Sequence, residues 1–434
     1  MLTRITRRRP ARLRSNPVRQ LMAAFVGNAV EWFDWYVYAL LAVYFANQFF
    51  PSNTDNTLVP LLGTFAVFAV GFFARPLGGL AIGVFADRRG RKAALSATVI
   101  GMGAGSLAIA VAPTYEQVGA LAPAILVGAR LVQGISAGGE LSASAAFLVE
   151  SAPSCRRGLF SSFFYISATT ANLAAIGISV LLVSTLSEDA MSTWGWRIPF
   201  VLGGLLALAG FWIRSRAAET HLAKDAEKSA QRGDKSGRFR FVRTHRRESL
   251  MVFGMIAAPA LVYYVWTSFL PTYASITVGL DTTKGLLSSV ISLVWFMALQ
   301  PLFGVLSDRI GRKPLALSFS IAFTFGSVPL LGLLSDSFVS LLLVQMVGLT
   351  FIACWSSISL AVVTELFPAE VRAAGVGFPY AVGVALFGGT GPYVATWLAD
   401  YGDPTMFAWY VAAISLLSLA FFVFMPETGR RPLR

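Results

Sequence analysis

Cysteine, histidine and charged residues are scarce in this chain of 434 residues. It contains two cysteines and two histidines, and Asp, Glu, Lys and Arg together make up 13% of it. Two cysteines, Cys155 and Cys354, exclude a disulfide framework. Both histidines, His221 and His245, fall in one polar stretch, so no cluster of metal ligands is visible and no histidine base lies within an apolar segment. We therefore expect no metal, no cofactor and no enzyme activity.

Long apolar runs are the most abundant feature of the chain. Hydrophobic residues make up 56% of it and the mean hydropathy is +0.65, which excludes an ordinary soluble domain of this length. About 20 apolar residues in an α-helix are enough to span the hydrocarbon core of a bilayer. The sequence predicts twelve such helices, at residues 19–46, 58–86, 93–112, 122–150, 158–184, 198–215, 249–270, 286–306, 315–334, 338–366, 373–399 and 406–425. The predicted fold class is an all-α membrane protein.

The formal charge of +13 follows the predicted topology. If twelve helices cross the bilayer, all but four of the 35 Lys and Arg residues lie in the termini or in loops on one side. The exceptions are Arg75, Arg130, Arg197 and Lys284. This positive-inside pattern predicts a multi-pass protein of the plasma (inner) membrane with both termini in the cytoplasm. The basic residues are then expected to face anionic lipid, and no nucleic-acid partner is expected.

Two charged motifs occur twice. Residues 87–92 (DRRGRK) and 308–313 (DRIGRK) are near copies that lie 221 residues apart. A Glu-x-x-Pro-x-x-x-Arg pattern at 150–157 recurs at 365–372. Each copy follows a long apolar segment, so the sequence predicts two similar halves in tandem, an architecture typical of alternating-access transporters.

These repeats, together with a polar stretch between them, define the predicted domains. They are a cytoplasmic basic tail (1–18), an N-terminal six-helix half (19–215, the N-half), a cytoplasmic linker (216–248), a C-terminal six-helix half (249–425, the C-half) and a cytoplasmic tail (426–434). The linker is rich in Lys, Arg, Asp, Glu, Gln and Ser and is not expected to hold a substrate site.

Five ionisable side chains are predicted at membrane depth, where a charge is costly unless it is paired or faces water. They are Glu31, Asp34, Arg75, Arg130 and Glu140. One interpretation is that a carboxylate takes a proton while an arginine anchors an anionic substrate, with Asp34, Glu31, Arg130 and Glu140 as proton-coupling candidates. The alternative is a static buried salt bridge that fixes helix packing, such as Asp34 with Arg130.

Polar and aromatic residues of both halves complete the predicted substrate site. The C-half offers aromatic and amide groups where it offers almost no charge. The substrate-binding candidates are Arg75, Asn28, Tyr38, Tyr263, Gln300 and Tyr380. Each aromatic or amide candidate could also be ordinary helix packing.

The repeated charged motifs predict a cytoplasmic gate. Asp87 and Asp308 can cap a following helix or bind Arg157 and Arg372 from neighbouring loops. The alternative is a basic turn that only sets topology. The gate candidates are Asp87, Arg88, Arg91, Glu150, Arg157, Asp308, Arg309, Arg312, Glu365 and Arg372.

Four further segments accompany the two charged turns: 27–34 (GNAVEWFD), 75–79 (RPLGG), 130–140 (RLVQGISAGGE) and 195–200 (GWRIPF). With these motifs the chain resembles the Major Facilitator Superfamily, and within it the metabolite:proton symporter branch. The resemblance implies a twelve-helix fold with inward and outward states. It also implies uptake of a small organic acid with protons, such as a dicarboxylate or the 2-oxo acid α-ketoglutarate.

Residue roles follow from the same resemblance. Arg75 and Arg130 would be the anion-facing and coupling arginines, and Asp34 with Glu31 the proton-linked carboxylates. Two other functions stay open: a carrier of betaine- or proline-type zwitterions, and a transporter-like ligand sensor. The expected partners are the substrate, protons and lipid, and we expect a monomer.

Overall fold

The described residues form twelve long helices and contain no strand. The computed structural model describes residues 17–52, 56, 58–89, 91–138, 152–153, 155–216, 245–368, 372–403 and 405–429. The helices of the N-half are α1 (Pro17–Phe49), α2 (Leu58–Arg89), α3 (Arg91–Ala110), α4 (Leu121–Gly138), α5 (Arg157–Thr185) and α6 (Ile198–Arg216). Those of the C-half are α7 (Arg246–Tyr264, continued through Val265–Phe269 and Leu270–Val278), α8 (Thr282–Ile310), α9 (Lys313–Leu331), α10 (Phe338–Glu365), α11 (Arg372–Gly383, continued through Val384–Gly388 and Gly391–Asp400) and α12 (Thr405–Phe424).

The predicted all-α fold class is confirmed. Among the described residues, ten helices are long and apolar enough to cross a membrane, and the apolar part of α3, Ser96–Ala110, is shorter. α1 is 33 residues long and contains Glu31 and Asp34. The predicted helix bounds agree with the structure to within a few residues, with two exceptions. α7 extends to Val278, and the predicted end of the fourth helix, at residue 150, lies outside the described residues.

The two halves repeat one packing pattern. In the N-half, α2 packs on α4, α3 on α6, and α1 on α5. The same pairs recur six helices later, where α8 packs on α10, α9 on α12, and α7 on α11. Between the halves the main contacts are α5 with α8 and α2 with α11, which are equivalent pairs under the same shift. The fold is therefore an internal duplication with a central seam.

Glycines bring α2 and α4 into close contact. A Cβ atom on Gly134 would lie 2.0 Å from the carbonyl oxygen of Gly71, and one on Gly138 would lie 1.9 Å from that of Arg75. Only a residue without a side chain permits these approaches, which is how small residues act between membrane helices. The contact fixes the height of Arg75 relative to α4.

One end of the bundle carries the turn at 308–313 together with Arg157 and Glu427, and we call it the basic end. The halves contact each other at both ends. At the basic end α5 meets α8, and Gly158 lies against Gly304. At the opposite end Asn56 Nδ2 donates to Asp400 Oδ1 over 2.5 Å, and the rings of Phe65 and Phe269 meet edge to face.

Candidate functional site

A pocket lies between the two halves near Arg75. Its walls come from α1, α2, α4 and α5 on one side and from α11 on the other. The lining residues are Asn28, Glu31, Trp32, Arg75, Ala137, Gly138, Phe164, Gly377, Tyr380, Ala381 and Val384. A site shared by both halves is where an alternating-access carrier holds its substrate. Three predicted substrate-binding residues, Asn28, Arg75 and Tyr380, and one predicted proton-coupling residue, Glu31, line this pocket.

Arg75 is the cation of the pocket wall. Its guanidinium carbon lies 4.2 Å from the ring centres of both Trp35 and Phe72, and 5.7 Å from that of Trp32. Its Nε and Nη2 atoms are buried and have no hydrogen-bond partner among the described residues. The rings of Trp35 and Phe72 hold the plane of the guanidinium by cation–π contact but have no hydrogen-bond acceptor for Nε or Nη2. The arrangement suits an anionic ligand.

Asn28 orients the aromatic wall of the pocket. Its Nδ2 donates to the carbonyl oxygen of Phe164 and to Ser167 Oγ, each over 3.2 Å. Its Oδ1 accepts from Trp32 Nε1 over 3.0 Å. The amide thereby ties α1 to α5 and fixes the indole of Trp32 beside the guanidinium of Arg75.

Paired tyrosines join the halves beside the pocket. The hydroxyl groups of Tyr36 and Tyr263 lie 2.8 Å apart, and those of Tyr165 and Tyr380 lie 3.2 Å apart. In each pair one residue belongs to the N-half and the other to the C-half. Trp32 stacks on Tyr36 and also on Tyr264 of α7. These rings therefore join the two halves beside the pocket.

Asp34 lies inside the N-half, away from the pocket wall. It is 3% exposed, and its Oδ1 accepts a hydrogen bond from Ser106 Oγ of α3. Gln133 Nε2 donates to Asp34 Oδ2 over 2.5 Å, and Gln133 Oε1 accepts from Arg130 Nη1 over 2.9 Å. No ion pair joins Asp34 to Arg130 directly. The direct Asp34–Arg130 salt bridge given as an example of the static alternative is therefore not formed, because the Gln133 amide lies between the two charges.

Three predicted substrate ligands lie outside the pocket lining. Tyr38 donates to the carbonyl oxygen of Thr64, and its ring lies 3.9 Å from the guanidinium carbon of Arg130. Gln300 donates to Ser356 Oγ over 2.6 Å within the C-half. Tyr263 contacts the site through its hydroxyl pairing with Tyr36 and through an edge-to-face contact with the ring of Trp32. Their roles in substrate binding stay predictions.

A network of charges closes the basic end. Asp308 of α8 accepts hydrogen bonds from the backbone N–H groups of Gly158 (2.9 Å) and Leu159 (3.1 Å), which begin α5. Asp308 also pairs with Arg312 over 2.8 Å. Glu365 lies 3.6 Å from both Arg157 and Arg312. Asp308 therefore caps a helix of the opposite half and does not bind Arg157, which faces Glu365 instead.

The remaining predicted gate and coupling residues either are exposed or lie outside the described residues. Arg309 is exposed. Glu140 and Glu150 lie outside the described residues, as do the side chains of Asp87, Arg88, Arg91 and Arg372. Within the described part of the chain, no group of three or more His, Cys, Asp or Glu residues could hold a metal ion.

Four residues of the site have no role in the sequence interpretation. Tyr36 and Tyr165 supply the N-half hydroxyls of the tyrosine pairs, and Ser106 and Gln133 hold Asp34. A buried carboxylate such as Asp34 needs polar partners, so the sequence indicates that such partners exist. It does not show which helices of the bundle provide them.

The chain is similar to several membrane carriers. The sequence profile described as Major Facilitator Superfamily matches residues 24–378 and 296–434. The chain is 39% identical to the alpha-ketoglutarate permease of Escherichia coli (strain K12), over 97% of each protein. It is 31% identical to the glycine betaine/proline/ectoine/pipecolic acid transporter OusA of Dickeya dadantii, over 96% of this chain and 84% of that protein.

A solved structure shares the fold. The proton:xylose symporter XylE of E. coli, bound to 6-bromo-6-deoxy-D-glucose, superposes with a TM-score of 0.77 and 18% sequence identity, over 95% of this chain and 96% of that one.

Proposed function

This chain belongs to the Major Facilitator Superfamily, and from that premise we propose that it imports a small organic acid together with protons. The chain is a multi-pass membrane transporter and not an enzyme. The proposed substrate is a dicarboxylate or 2-oxo acid such as α-ketoglutarate. The proposed location is the inner membrane with the basic end in the cytoplasm, since the Lys and Arg residues are distributed as the positive-inside rule requires.

The observation that carries the proposal is the guanidinium of Arg75 in the pocket wall. Arg75 places two buried N–H donors without a partner, among the described residues, next to a pocket that both halves line. A carboxylate supplies two oxygens in the planar geometry that a guanidinium prefers. A bound carboxylate would accept hydrogen bonds from these Arg75 donors, which are otherwise costly to bury.

The relatives support an organic acid over a zwitterion. Identity to the alpha-ketoglutarate permease is 39%, against 31% to OusA. The zwitterion carrier stays a second candidate because Trp32 and Tyr264 stack beside the pocket, and aromatic faces attract quaternary ammonium groups. Betaine also has a carboxylate, so Arg75 alone does not discriminate between the two substrates.

We assign the proton to Asp34, with Glu31 as the carboxylate of the pocket itself. Asp34 is buried among the polar side chains of Ser106 and Gln133, close to the cation Arg130. Transport would follow from rocking of the N-half against the C-half about the seam, which exposes the pocket to each side in turn.

The test is transport by the purified chain in proteoliposomes. With an inwardly directed proton gradient, labelled α-ketoglutarate should accumulate above its external concentration, and collapsing the gradient with a protonophore should stop this. Competition with unlabelled glycine betaine and proline distinguishes the zwitterion carrier. Binding without accumulation would favour the ligand sensor and contradict the proposal.

The Asp34→Asn variant tests the proton site. It cannot release a proton, so gradient-driven accumulation should fall at least tenfold. Exchange of labelled for unlabelled substrate should persist, because exchange needs no net proton movement. Accumulation equal to that of the wild type would exclude Asp34 as the proton carrier.

A further inference from the structure

Gln133 lies between the two charges of the N-half and contacts both. Its amide nitrogen reaches Asp34 Oδ2 (2.5 Å) and its amide oxygen reaches Arg130 Nη1 (2.9 Å). Gln133 is three residues after Arg130 on α4, so the two side chains share one face of the helix. All three residues are buried. The amide is therefore the hydrogen-bonded link between Asp34 and Arg130.

The chemistry of the partners fixes the orientation of the amide. An ionised carboxylate only accepts hydrogen bonds and a guanidinium only donates them. Nε2 must then face Asp34 and Oε1 must face Arg130. The opposite orientation would set oxygen against oxygen and N–H against N–H inside a buried cluster, where unmet polar groups are costly.

We propose that Gln133 is the positioning residue that couples proton binding at Asp34 to the availability of Arg130 for the substrate anion. This inference rests on the proposed proton-coupled transport. A proton that binds Asp34 Oδ2 forms an O–H donor facing Gln133 Nε2. The amide relieves this clash by turning its Oε1 toward the acid, so that Nε2 faces Arg130. Arg130 then loses its only side-chain acceptor among the described residues.

An anion replaces that acceptor. Arg130 Nε and Nη2 are already buried without a partner among the described residues. The guanidinium carbon of Arg130 lies 5.1 Å from the Trp35 ring, and that of Arg75 lies 4.2 Å from the same ring. Once Gln133 releases it, Arg130 is thus separated from Arg75, the cation that lines the pocket, by the indole ring of Trp35. Proton binding favours anion binding, and the anion favours the proton to the same degree, since coupling between sites is reciprocal.

The chain offers a matched control in its other half. Gln345 of α10 is equally buried and also uses both ends of its amide, but its partners are the hydroxyl groups of Ser288, Ser289 and Ser292. None of these groups titrates near neutral pH. Gln345→Leu therefore reproduces the loss of a buried glutamine without touching a proton site.

The experiment measures the affinity for labelled α-ketoglutarate at about pH 5.5 and about pH 8, together with exchange and gradient-driven accumulation. In the wild type the affinity should be at least tenfold higher at the acid pH. In Gln133→Leu the two affinities should agree to within about twofold, accumulation should be lost and exchange should persist. Gln345→Leu should keep the ratio of the wild type. If the Gln133→Leu protein does not insert into the membrane, Gln133→Met replaces it, because methionine is unbranched and similar in length to glutamine. The same results are expected for it.

Two outcomes would overturn the inference. One is a Gln133 variant that keeps the pH dependence of the wild type. The other is a parallel loss of exchange and accumulation, which a merely structural role would produce. Glycine betaine is the second probe. If the chain does not bind α-ketoglutarate, only the proposed substrate is contradicted, and the pH dependence can still be measured with glycine betaine.

Discussion

Arg75 combines a planar cation, aromatic rings on its faces and two nitrogens, Nε and Nη2, without a partner among the described residues. Each part can be removed separately. Arg75→Lys keeps the charge but replaces the fork of donors with a compact ammonium group. A hydrogen bond to a charged group contributes about 1.5–3 kcal/mol, so loss of the fork should lower kcat/KM for α-ketoglutarate uptake by about tenfold to a hundredfold. Arg75→Ala should lower it further. Initial rates in proteoliposomes measure both effects.

Lys284→Ala is the control for charge alone, because Lys284 is exposed at the opposite end of the bundle. It should transport like the wild type. An Arg75→Ala protein that inserts normally and keeps the affinity of the wild type would remove Arg75 from the substrate site.

Sequence alone could predict the charges of the site but not their partners. Glu31, Asp34, Arg75 and Arg130 stand out because ionisable groups are rare within apolar helices. Helical spacing places Asn28, Asp34 and Tyr38 roughly on one side of α1, yet the structure turns Asn28 to the pocket and Asp34 into the N-half. Which side of a helix faces the seam depends on its neighbours, and one helix's own sequence does not contain that information.

Glu427 gives a second prediction at this scale, outside the membrane-spanning helices. It accepts hydrogen bonds from the backbone N–H groups of Arg312, Lys313 and Gly429 over 2.9–3.0 Å, at the start of α9. Partial burial acts to raise the pKa of Glu427, but these donors and the charge of Arg312 outweigh it, so the pKa is lowered. A lowered pKa means that the stabilisation is present above the unfolded-state pKa of about 4.3 and is lost as the pH falls through the folded-state value.

Glu427→Gln should therefore lower the melting temperature at pH 7 by on the order of 1 to 2 °C, as expected for one helix-terminal charge. The difference should shrink as the pH falls below about 4.3. Asp336→Asn is the control, because Asp336 is exposed and accepts no hydrogen bond from the described residues. A difference that does not change with pH would contradict the role of the charge.

At the scale of the element, α7 is longer and less regular than its hydropathy predicts. It widens into a π-helical segment at Val265–Phe269, directly before Pro271. Proline has no N–H, so the carbonyl oxygen of Thr267 lacks its α-helical donor. Asn172 Nδ2 of α5 supplies a donor instead, over 2.7 Å. An irregularity of one half is thus completed by a side chain of the other, which explains why the sequence of α7 alone did not predict it.

A double-mutant cycle tests this compensation. Asn172→Ala should destabilise the protein by about 1–3 kcal/mol, because it leaves the carbonyl of Thr267 buried without a donor. With Pro271→Ala already present, residue 271 has an N–H of its own, so the same Asn172→Ala change should cost at least about 1 kcal/mol less. Denaturation in detergent micelles measures the four proteins. Equal costs in both backgrounds would show that Asn172 acts elsewhere.

At the scale of the whole molecule, the sequence predicts the duplication into two halves, but it does not predict the contacts that join them. Two copies of the charged turn, 221 residues apart, indicate two halves, and the packing of α1–α6 recurs in α7–α12. The motifs also supplied the residues of the predicted gate. They could not show that Asp308 caps α5 of the N-half, because that contact depends on how the halves are juxtaposed.

Asp308 therefore offers a test of the seam itself. It makes two hydrogen bonds to backbone N–H groups of the other half, and bonds to a charged acceptor contribute about 1.5–3 kcal/mol each. Asp308→Ala should raise the population open at the basic end by at least tenfold. Ser161 of α5 reports this opening, because it is buried and accepts from the backbone N–H of Ala361 in α10.

In a background without Cys155 and Cys354, the measurement is the rate at which an impermeant maleimide modifies Ser161→Cys in inside-out vesicles. Asp308→Ala should raise that rate about tenfold, and Asp336→Asn, with a carboxylate removed from an exposed loop, should leave it unchanged. An unchanged rate in Asp308→Ala would mean that the caps on α5 do not hold the halves together. The closed basic end would then depend on Glu365, which lies 3.6 Å from both Arg157 and Arg312.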